Sequence, residues 1–308
     1  MQKEAQVGSQ KITPFLWFEK DMKGVLNFYS SVFPGTKVLS GGELNGTPSG
    51  QVQTASLKIY DVEFNFMTAG PYLPFNPTVS FIIACENKEE VDDIWGKLIG
   101  KEDGGRALMP LQAYPFAEWY GWAQDKYGVS WQIMYSSSIK SPQKVIPTIM
   151  FAGDVCGKAG EALDFYTKVF HNSKVNYVMK YDEGDKEIVD SNGVIKHAGF
   201  TIENFFMALM DSGRKSPLNF KQAISFVVSC KDQEEVDYYW NKLSEGGEEI
   251  QCGWLNDKFG FPWQVVPACL GEMLEKGNPE QVSAVTQAFM KMKKFNVSEL
   301  EKAFNGAR

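Results

Sequence analysis

Histidines are the side chains that most often carry acid–base or metal chemistry near neutral pH, and this 308-residue chain contains two, His171 and His197. His197 lies in the run VIKHAGFTI, where strand alternation places it on one face together with Gly199 and Thr201. It is a candidate general base, and the structural alternative is a strand histidine that is hydrogen-bonded or half-exposed. His171 lies in a polar loop, so we expect it at the surface. Two histidines cannot build a histidine-rich metal site.

The cysteines do not form a metal-binding or disulfide pattern. They are odd in number, widely spaced and without a CxxC pair: Cys85, Cys156, Cys230, Cys252 and Cys269. This favours reduced thiols in a reducing compartment. The first 11 residues are polar, and no segment holds about 18 consecutive apolar residues. We therefore expect a cytoplasmic protein that is neither secreted nor embedded in a membrane.

The charge balance indicates which partners are excluded. Lys and Arg total 31 and Asp and Glu total 38, which gives a net charge of −7, and no basic run stands out. Nucleic acid and anionic membrane are poor partners for such a surface.

An internal repeat organises the chain. Residues 79–98 align with residues 224–243 with ten identities in twenty positions, and residues 122–133 align with residues 254–265 with six in twelve. Phe28, Tyr29, Val32 and Phe33 recur as Phe165, Tyr166, Val169 and Phe170. The order is the same in both halves, so the sequence is a duplication. The N-terminal copy also has an extra segment, residues 106–119, between its matched blocks.

The periodicity within each copy predicts a strand, a helix, two or three strands, and then the same order again. A second helix in each copy has a cap signal, Asn87 with Glu90 and Asp232 with Glu235. Residues 269–308 differ from both copies. Asn278 followed by Pro279 starts one helix there and Asn296 with Glu299 starts another, so we predict a C-terminal helical extension.

The repeated blocks resemble a known family. The runs PFLWF, FYSSVF, SFIIAC with EEVDDIW, and DKYGVSWQI are similar to PhnB-like sequences, often labelled 3-demethylubiquinone-9 3-methyltransferase. That family belongs to the vicinal oxygen chelate superfamily, with glyoxalase I, bleomycin-resistance proteins and extradiol dioxygenases. The resemblance implies an α+β fold of tandem modules, each of two βαβββ units in a curled mixed sheet. We place the modules at residues 12–140 and 144–268, paired within the chain as a pseudo-dimer, with the extension at 269–308.

The methyltransferase label is not supported by the sequence. A methyl donor such as S-adenosylmethionine is usually held by a glycine-rich turn between a strand and a helix. No GxGxG turn follows a strand in this chain. We therefore expect no methyl transfer.

Superfamily enzymes hold a divalent metal with histidines and a glutamate, and the resemblance allows each ligand position to be checked. The first falls near Pro14 and Pro147, the second at Thr78 and Ala223. The glutamate position holds Gln132 and Gln264. We therefore predict no cofactor and no conventional metal triad. The two glutamines remain candidates for weak metal ligation, for hydrogen bonding to a ligand, or for satisfying buried backbone groups.

Large aromatic side chains on the expected cup strands are the remaining candidates for ligand binding. Each could instead belong to the hydrophobic core. Trp119 and Trp122 lie on or beside the segment that the N-terminal copy alone possesses. Together with Gln132 and Gln264, the candidate ligand-binding residues are Trp17, Phe66, Trp119, Trp122, Phe206 and Trp254.

Three hypotheses of function follow. In the first, a metal-free protein of the bleomycin-resistance type binds a small, partly aromatic ligand. In the second, the chain is an isomerase, lyase or dioxygenase that acts on a small oxygenated substrate, with His197 as base and Gln264 with a metal or water assisting. In the third, one copy has degenerated and is kept to complete the fold. The second and third are compatible.

Overall fold

The computed structural model describes residues 10–47, 49–70, 73–100, 104–138, 141–182, 194–213 and 216–307. Four units repeat one order of elements, a strand, a helix and three strands. Unit 1 comprises β1 (Ile12–Phe18), α1 (Met22–Val32), β2 (Lys37–Thr47), β3 (Gly50–Ile59) and β4 (Val62–Thr68). Unit 2 comprises β5 (Val79–Cys85), α2 (Lys88–Leu98), β6 (Arg106–Tyr114), β7 (Ala117–Gln124) and β8 (Ser130–Tyr135).

The C-terminal copy contributes units 3 and 4. Unit 3 comprises β9 (Val145–Phe151), α3 (Ala159–Val169), β10 (Lys174–Lys180), β11 (Ile195–Ile202) and β12 (Phe205–Asp211), with a 3₁₀ turn at Gly153–Val155. Unit 4 comprises β13 (Ile224–Cys230), α4 (Gln233–Ser244), β14 (Glu248–Glu249), β15 (Trp254–Asn256) and β16 (Pro262–Pro267). Three helices follow: α5 (Ala268–Lys276), α6 (Pro279–Phe289) and α7 (Val297–Gly306).

Each of the two eight-stranded sheets combines one unit from each copy. Sheet I has the order β14-β15-β16-β13-β1-β4-β3-β2 and therefore joins unit 1 to unit 4. Sheet II has the order β10-β11-β12-β9-β5-β8-β7-β6 and joins unit 3 to unit 2. The expected α+β fold of tandem units in mixed sheets is confirmed. The strand order also shows that neither copy forms a complete eight-stranded sheet alone.

The first strands of the units make the joints between the copies. β1 pairs antiparallel with β13, and β5 pairs antiparallel with β9. A half-buried ion pair repeats beside each joint: Lys144 Nζ lies 2.7 Å from the Glu90 carboxylate, and Lys11 pairs with Glu235 in the same way. Each glutamate is also the residue three positions after a helix cap. Its side chain therefore takes part both in the start of the helix and in the ion pair beside the joint.

The predicted helix caps are present, with one difference. The Asn87 side chain accepts from the amide of Glu90, and the Asp232 side chain accepts from the amide of Glu235. Each glutamate side chain, however, accepts from the amide of the residue before the cap, Glu86 or Lys231, and not from the amide of the cap residue. At α6 the full capping box forms, between Asn278 and Gln281.

A buried carboxylate ties unit 1 to unit 2 inside the N-terminal copy. Asp125, in the turn before β8, accepts backbone hydrogen bonds from Tyr127 and Val129 at 2.9 and 3.0 Å. Its other oxygen accepts from the Tyr29 hydroxyl on α1 and from the Trp131 indole, both at 2.9 Å. Four donors to one carboxylate fix the turn, the helix and the last strand relative to one another.

The C-terminal copy repeats this network. Asp257 accepts from the backbone amides of Phe259 and Phe261, from the Tyr166 hydroxyl at 2.7 Å and from the Trp263 indole at 3.0 Å. Burial raises the pKa of Asp125 and of Asp257 to about 6 in spite of these donors. Both carboxyl groups therefore retain their protons in the folded protein at a pH where they ionise in the unfolded chain.

Two elements had no assigned residues in the prediction: β2, and α5 within the predicted helical extension. The extra segment at residues 106–119 forms β6 and the start of β7, a hairpin where the C-terminal copy has the two-residue β14. The module boundaries remain predictions, and residues 139–140 at the end of the first module lie outside the described residues.

The raised carboxyl pKa values predict how stability depends on pH. Between pH 4 and 6 the unfolded chain loses the Asp125 proton while the folded chain keeps it, so this residue's contribution to stability falls as pH rises. We expect the wild-type advantage in unfolding free energy over Asp125→Asn to shrink by about 2 kcal/mol across that range. Urea unfolding at several pH values measures this difference.

Asp257→Asn is the matched variant, because the Asp257 carboxylate has the same set of donors as that of Asp125. The wild-type advantage over it should therefore show the same pH profile. A wild-type advantage that stays constant from pH 4 to 6 in both variants would contradict a raised pKa at these sites.

Candidate functional site

Sheet I encloses a cavity of about 630 Å³ on the face opposite its helices. We call this face cup I, and the corresponding face of sheet II cup II. The volume is in the range of small-molecule sites. Its aromatic wall consists of Phe15 and Trp17 on β1 and Trp254 on β15. The ring centroid of Trp254 lies 5.6 Å from that of Phe15 and 6.2 Å from that of Trp17.

The C-terminal extension closes one side of cup I. Leu270 and Leu274 on α5, together with Phe289, Met290 and Phe295, line the cavity. The extension is anchored at the loop before β15, where the amides of Cys252 and Gly253 donate to the carbonyls of Met292 and Lys293 at 2.7 and 2.8 Å.

Gly253 has a left-handed backbone (φ 79°), and a Cβ atom there would lie 2.4 Å from the Phe295 ring. Glycine is thus required both for the loop conformation and for the close approach of the extension.

Gln264 supplies the buried polar group of cup I. Its side chain lines the cavity and is 6% exposed, and its Nε2 donates to Ser225 Oγ at 2.9 Å. Among the described residues no donor reaches Gln264 Oε1. This oxygen is an open acceptor on the cavity wall, and a ligand with a hydrogen-bond donor would complete its hydrogen bonding.

Two further polar groups lie in the cup I wall. The Trp17 indole nitrogen is buried without a hydrogen-bond partner. Asn65 Oδ1 accepts from Ser56 Oγ at 2.8 Å, which orients the amide group between β3 and β4. The cup thus has an aromatic wall and neutral hydrogen-bonding groups.

Cup II has a glutamine at the equivalent position, Gln132, but both ends of its side-chain amide form hydrogen bonds within the protein. Gln132 Nε2 donates to Ser80 Oγ at 2.8 Å, as Gln264 does to Ser225, and Gln132 Oε1 accepts from the Tyr120 hydroxyl at 2.7 Å. Cys252 stands at the position of Tyr120 in unit 4, two residues before the repeated tryptophan. The carbonyl that is unpaired in cup I is therefore occupied in cup II.

Side chains also fill the floor of cup II. Ile82, Ile146, Phe206 and Ala208 form a separate buried cluster there. A Cβ atom on Gly199 would lie 2.4 Å from the Tyr177 ring and 2.8 Å from the Phe206 ring, so these two rings cover the strand at that point.

The extra segment of the N-terminal copy adds aromatic rings beside Tyr120. Tyr114 and Phe116 lie at the β6–β7 turn, with ring centroids 5.4 and 5.0 Å from that of Tyr120. Tyr120 is thus held between the glutamine and two further rings.

The predicted site residues divide between the cups. Trp17, Phe66, Trp254 and Gln264 line the cavity of cup I, although the Phe66 ring itself packs into the core 5.2 Å from Phe18. Strand alternation places four others on the cup II face of sheet II. These are Trp122, Gln132, His197 and Phe206.

Trp119 is not brought to either cup. It lies on the opposite face of β7, where its indole donates to Asp92 on α2 at 2.7 Å and Lys88 lies over the ring. Trp122, the other tryptophan in this segment, has a buried indole nitrogen without a partner.

His197 does not meet Gln264, because the two residues belong to different sheets. The Tyr177 hydroxyl lies 3.0 Å from His197 Nδ1, and the two rings stack. Burial lowers the pKa of His197 to about 4. The imidazole is therefore neutral at pH 7. The structure does not bring a His197 base and Gln264 into one site, as the enzyme hypothesis expected. His171 lies at the surface, stacked on Tyr238.

The donors in the cups do not fit a superfamily-type metal site. Divalent Zn, Fe, Mn or Ni needs several imidazole, thiolate or carboxylate ligands. The positions around Gln264 in cup I hold Ser225, Phe15 and Trp17, and the described residues contain no group of three or more His, Cys, Asp and Glu placed to hold a metal. We derive no step through a metal.

Several site residues were not identified from the sequence. The paired serines Ser80 and Ser225 are repeated in both copies and could have been found from that identity. Phe15 lies two residues before Trp17 on β1, so strand alternation predicts that both side chains lie on the same face. The contributions of Tyr120 and of the C-terminal extension had no local signal, because they depend on which elements meet in space.

Within the described residues, no helix is both long and apolar enough to span a bilayer.

Comparison with known proteins agrees with this architecture. The search of curated proteins gives no significant match. A PhnB protein from Bacillus cereus, whose description carries the name 3-demethylubiquinone-9 3-methyltransferase, is 34% identical over 41% of this chain and 100% of its own length, with a TM-score of 0.37.

Glyoxalase I from Zea mays is similar over 87% of this chain and 98% of its own, with a TM-score of 0.56 and 15% identity, which supports the fold alone. The family model described as 3-demethylubiquinone-9 3-methyltransferase matches residues 10–134 and again residues 143–266. The chain therefore belongs to this PhnB-like family, with two family repeats in one polypeptide and a fold like that of glyoxalase I.

Proposed function

We propose that the chain binds one small, partly aromatic molecule in cup I, without a metal, and that cup II serves the fold. The observation that carries this proposal is the difference between the two glutamines. Gln264 Oε1 lacks a donor beside a cavity of about 630 Å³, whereas Gln132 Oε1 is bound by Tyr120. Rings at Phe15, Trp17 and Trp254 offer stacking surfaces next to that carbonyl.

The duplication explains why a closed cup is retained. Sheet II contains unit 2 and unit 3, and it cannot be lost without removing half of each copy. The two copies then form the intramolecular pseudo-dimer, with β1–β13 and β5–β9 as its joints. Cup II is free to fill with its own side chains because one open cup is enough for binding.

A cytoplasmic location is part of this proposal. It is supported by five cysteines that form no disulfide in the described chain, two of which, Cys85 and Cys230, are buried at strand ends. Such thiols suit a reducing compartment.

We expect N-phenyl-1-naphthylamine, a neutral aromatic fluorophore with one N–H donor, to bind with one site per chain. Gln264→Leu should weaken this binding about fivefold, because it removes the acceptor for one neutral hydrogen bond. Fluorescence titration at pH 7 measures both the stoichiometry and the affinity.

Gln132→Leu is the matched control, since it removes the equivalent serine bond but in the closed cup, and it should leave the affinity unchanged. Absence of saturable binding to the folded wild type, or an equal loss in both variants, would refute cup I as the site.

The extension gives a second test. Phe289→Ala removes a ring that is 8% exposed and lines the cavity, so it should both destabilise the protein by about 3 kcal/mol and weaken the fluorophore affinity. Leu300→Ala, at a fully buried α7 position that does not line the cavity, should destabilise the protein without changing the affinity. Equal affinities of the two variants would show that the extension does not contribute to the site.

A further inference from the structure

The charges at cup I select among ligands. The described residues that line the cavity include two carboxylates, Glu43 on β2 and Glu275 on α5, and no Lys, Arg or His. Both carboxylates are exposed at the cavity rim, on elements from opposite ends of the chain. The rim therefore carries negative charge, with no basic residue in the described cavity lining.

Neither rim carboxylate is neutralised by an ion pair among the described residues. Glu43 accepts hydrogen bonds from two neutral amides, Gln51 Nε2 at 2.6 Å and Gln53 Nε2 at 3.4 Å. The nearest basic residue on α5, Lys276, pairs with Glu272 instead of Glu275, at 3.3 Å. The negative potential of both groups is thus available to a ligand.

The interior of the cup separately favours a ligand that has an aromatic ring and a hydrogen-bond donor. Gln264 is 94% buried, lines the cavity, and presents a carbonyl oxygen without a donor. The faces of Trp17 and Trp254 carry the negative potential that attracts cations. An anion would meet two carboxylates and no compensating base, whereas an ammonium group would meet two carboxylates, the Gln264 carbonyl and the ring faces.

We infer that the ligand of cup I is an organic cation, an aromatic or heteroaromatic molecule with a protonated nitrogen. The ring stacks in the Phe15–Trp17–Trp254 wall, N–H groups donate to Gln264 Oε1, and the positive charge is attracted by Glu43 and Glu275. This inference rests on the proposed function and adds the charge class of the ligand.

Three probes of nearly equal shape separate charge from shape. They are 1-naphthylmethylammonium, 1-naphthylmethanol and 1-naphthoate, which carry a positive, zero and negative charge at pH 7. Calorimetric titration of the full chain should rank the affinities in that order, with about a tenfold preference for the ammonium over the carboxylate at low ionic strength. High salt should reduce this preference, because rim charges are screened.

The double variant Glu43→Gln with Glu275→Gln should lower the affinity for the ammonium towards that for the alcohol and leave the alcohol affinity unchanged. Glu280→Gln, on α6 and outside the cavity lining, is the matched control and should preserve the ranking. Equal binding of the ammonium and the alcohol, or a ranking that the double variant does not alter, would overturn the cationic ligand while leaving the proposed binding function intact. Failure of all three probes to bind would instead refute the proposed function.

Discussion

Strand pairing between the two copies is the constraint on which the rest of the structure depends. β1 of the N-terminal copy pairs with β13 of the C-terminal copy, and β9 pairs with β5, so each cup has one wall from each copy. In a single βαβββ unit the first strand pairs with the last strand on one side only, and pairing its free edge satisfies a row of backbone groups that would otherwise lack partners. The Lys11–Glu235 and Lys144–Glu90 pairs lie beside these two joints and repeat with them.

Within each copy the units are held together by a different means, the buried carboxylates of Asp125 and Asp257. Each one joins a helix of one sheet to the last strand of the other through a tyrosine hydroxyl and a tryptophan indole. A carboxyl group in this environment costs desolvation energy, which is reflected in its raised pKa. Four donors per carboxyl group offset that cost and specify one arrangement of turn, helix and strand.

On this repeated scaffold the two cups have diverged through a few side chains. A tyrosine at position 120 satisfies the glutamine of cup II, and a cysteine at position 252 leaves the glutamine of cup I open. The extra hairpin packs Tyr114 and Phe116 beside Tyr120, whereas the C-terminal extension contributes apolar walls to cup I. Cup II therefore resembles a core, and cup I a binding site with aromatic walls and an acidic rim.

The sequence alone was sufficient for the duplication, the family resemblance, the helix caps at Asn87 and Asp232, and the repeated glutamines Gln132 and Gln264, because these are read from residue identity and local spacing. Alternation also placed His197 with Gly199 and Thr201 on one face, as the structure has them. The partners of each residue were decided by the tertiary structure. Gln264 and His197 are separated because their units join different sheets, and Trp119 contacts α2 because that helix packs on its face of β7. Residues from Leu270 to Phe295 reach cup I only because the extension folds back over it. Those outcomes depend on contacts between residues distant in the chain, which a local pattern does not encode.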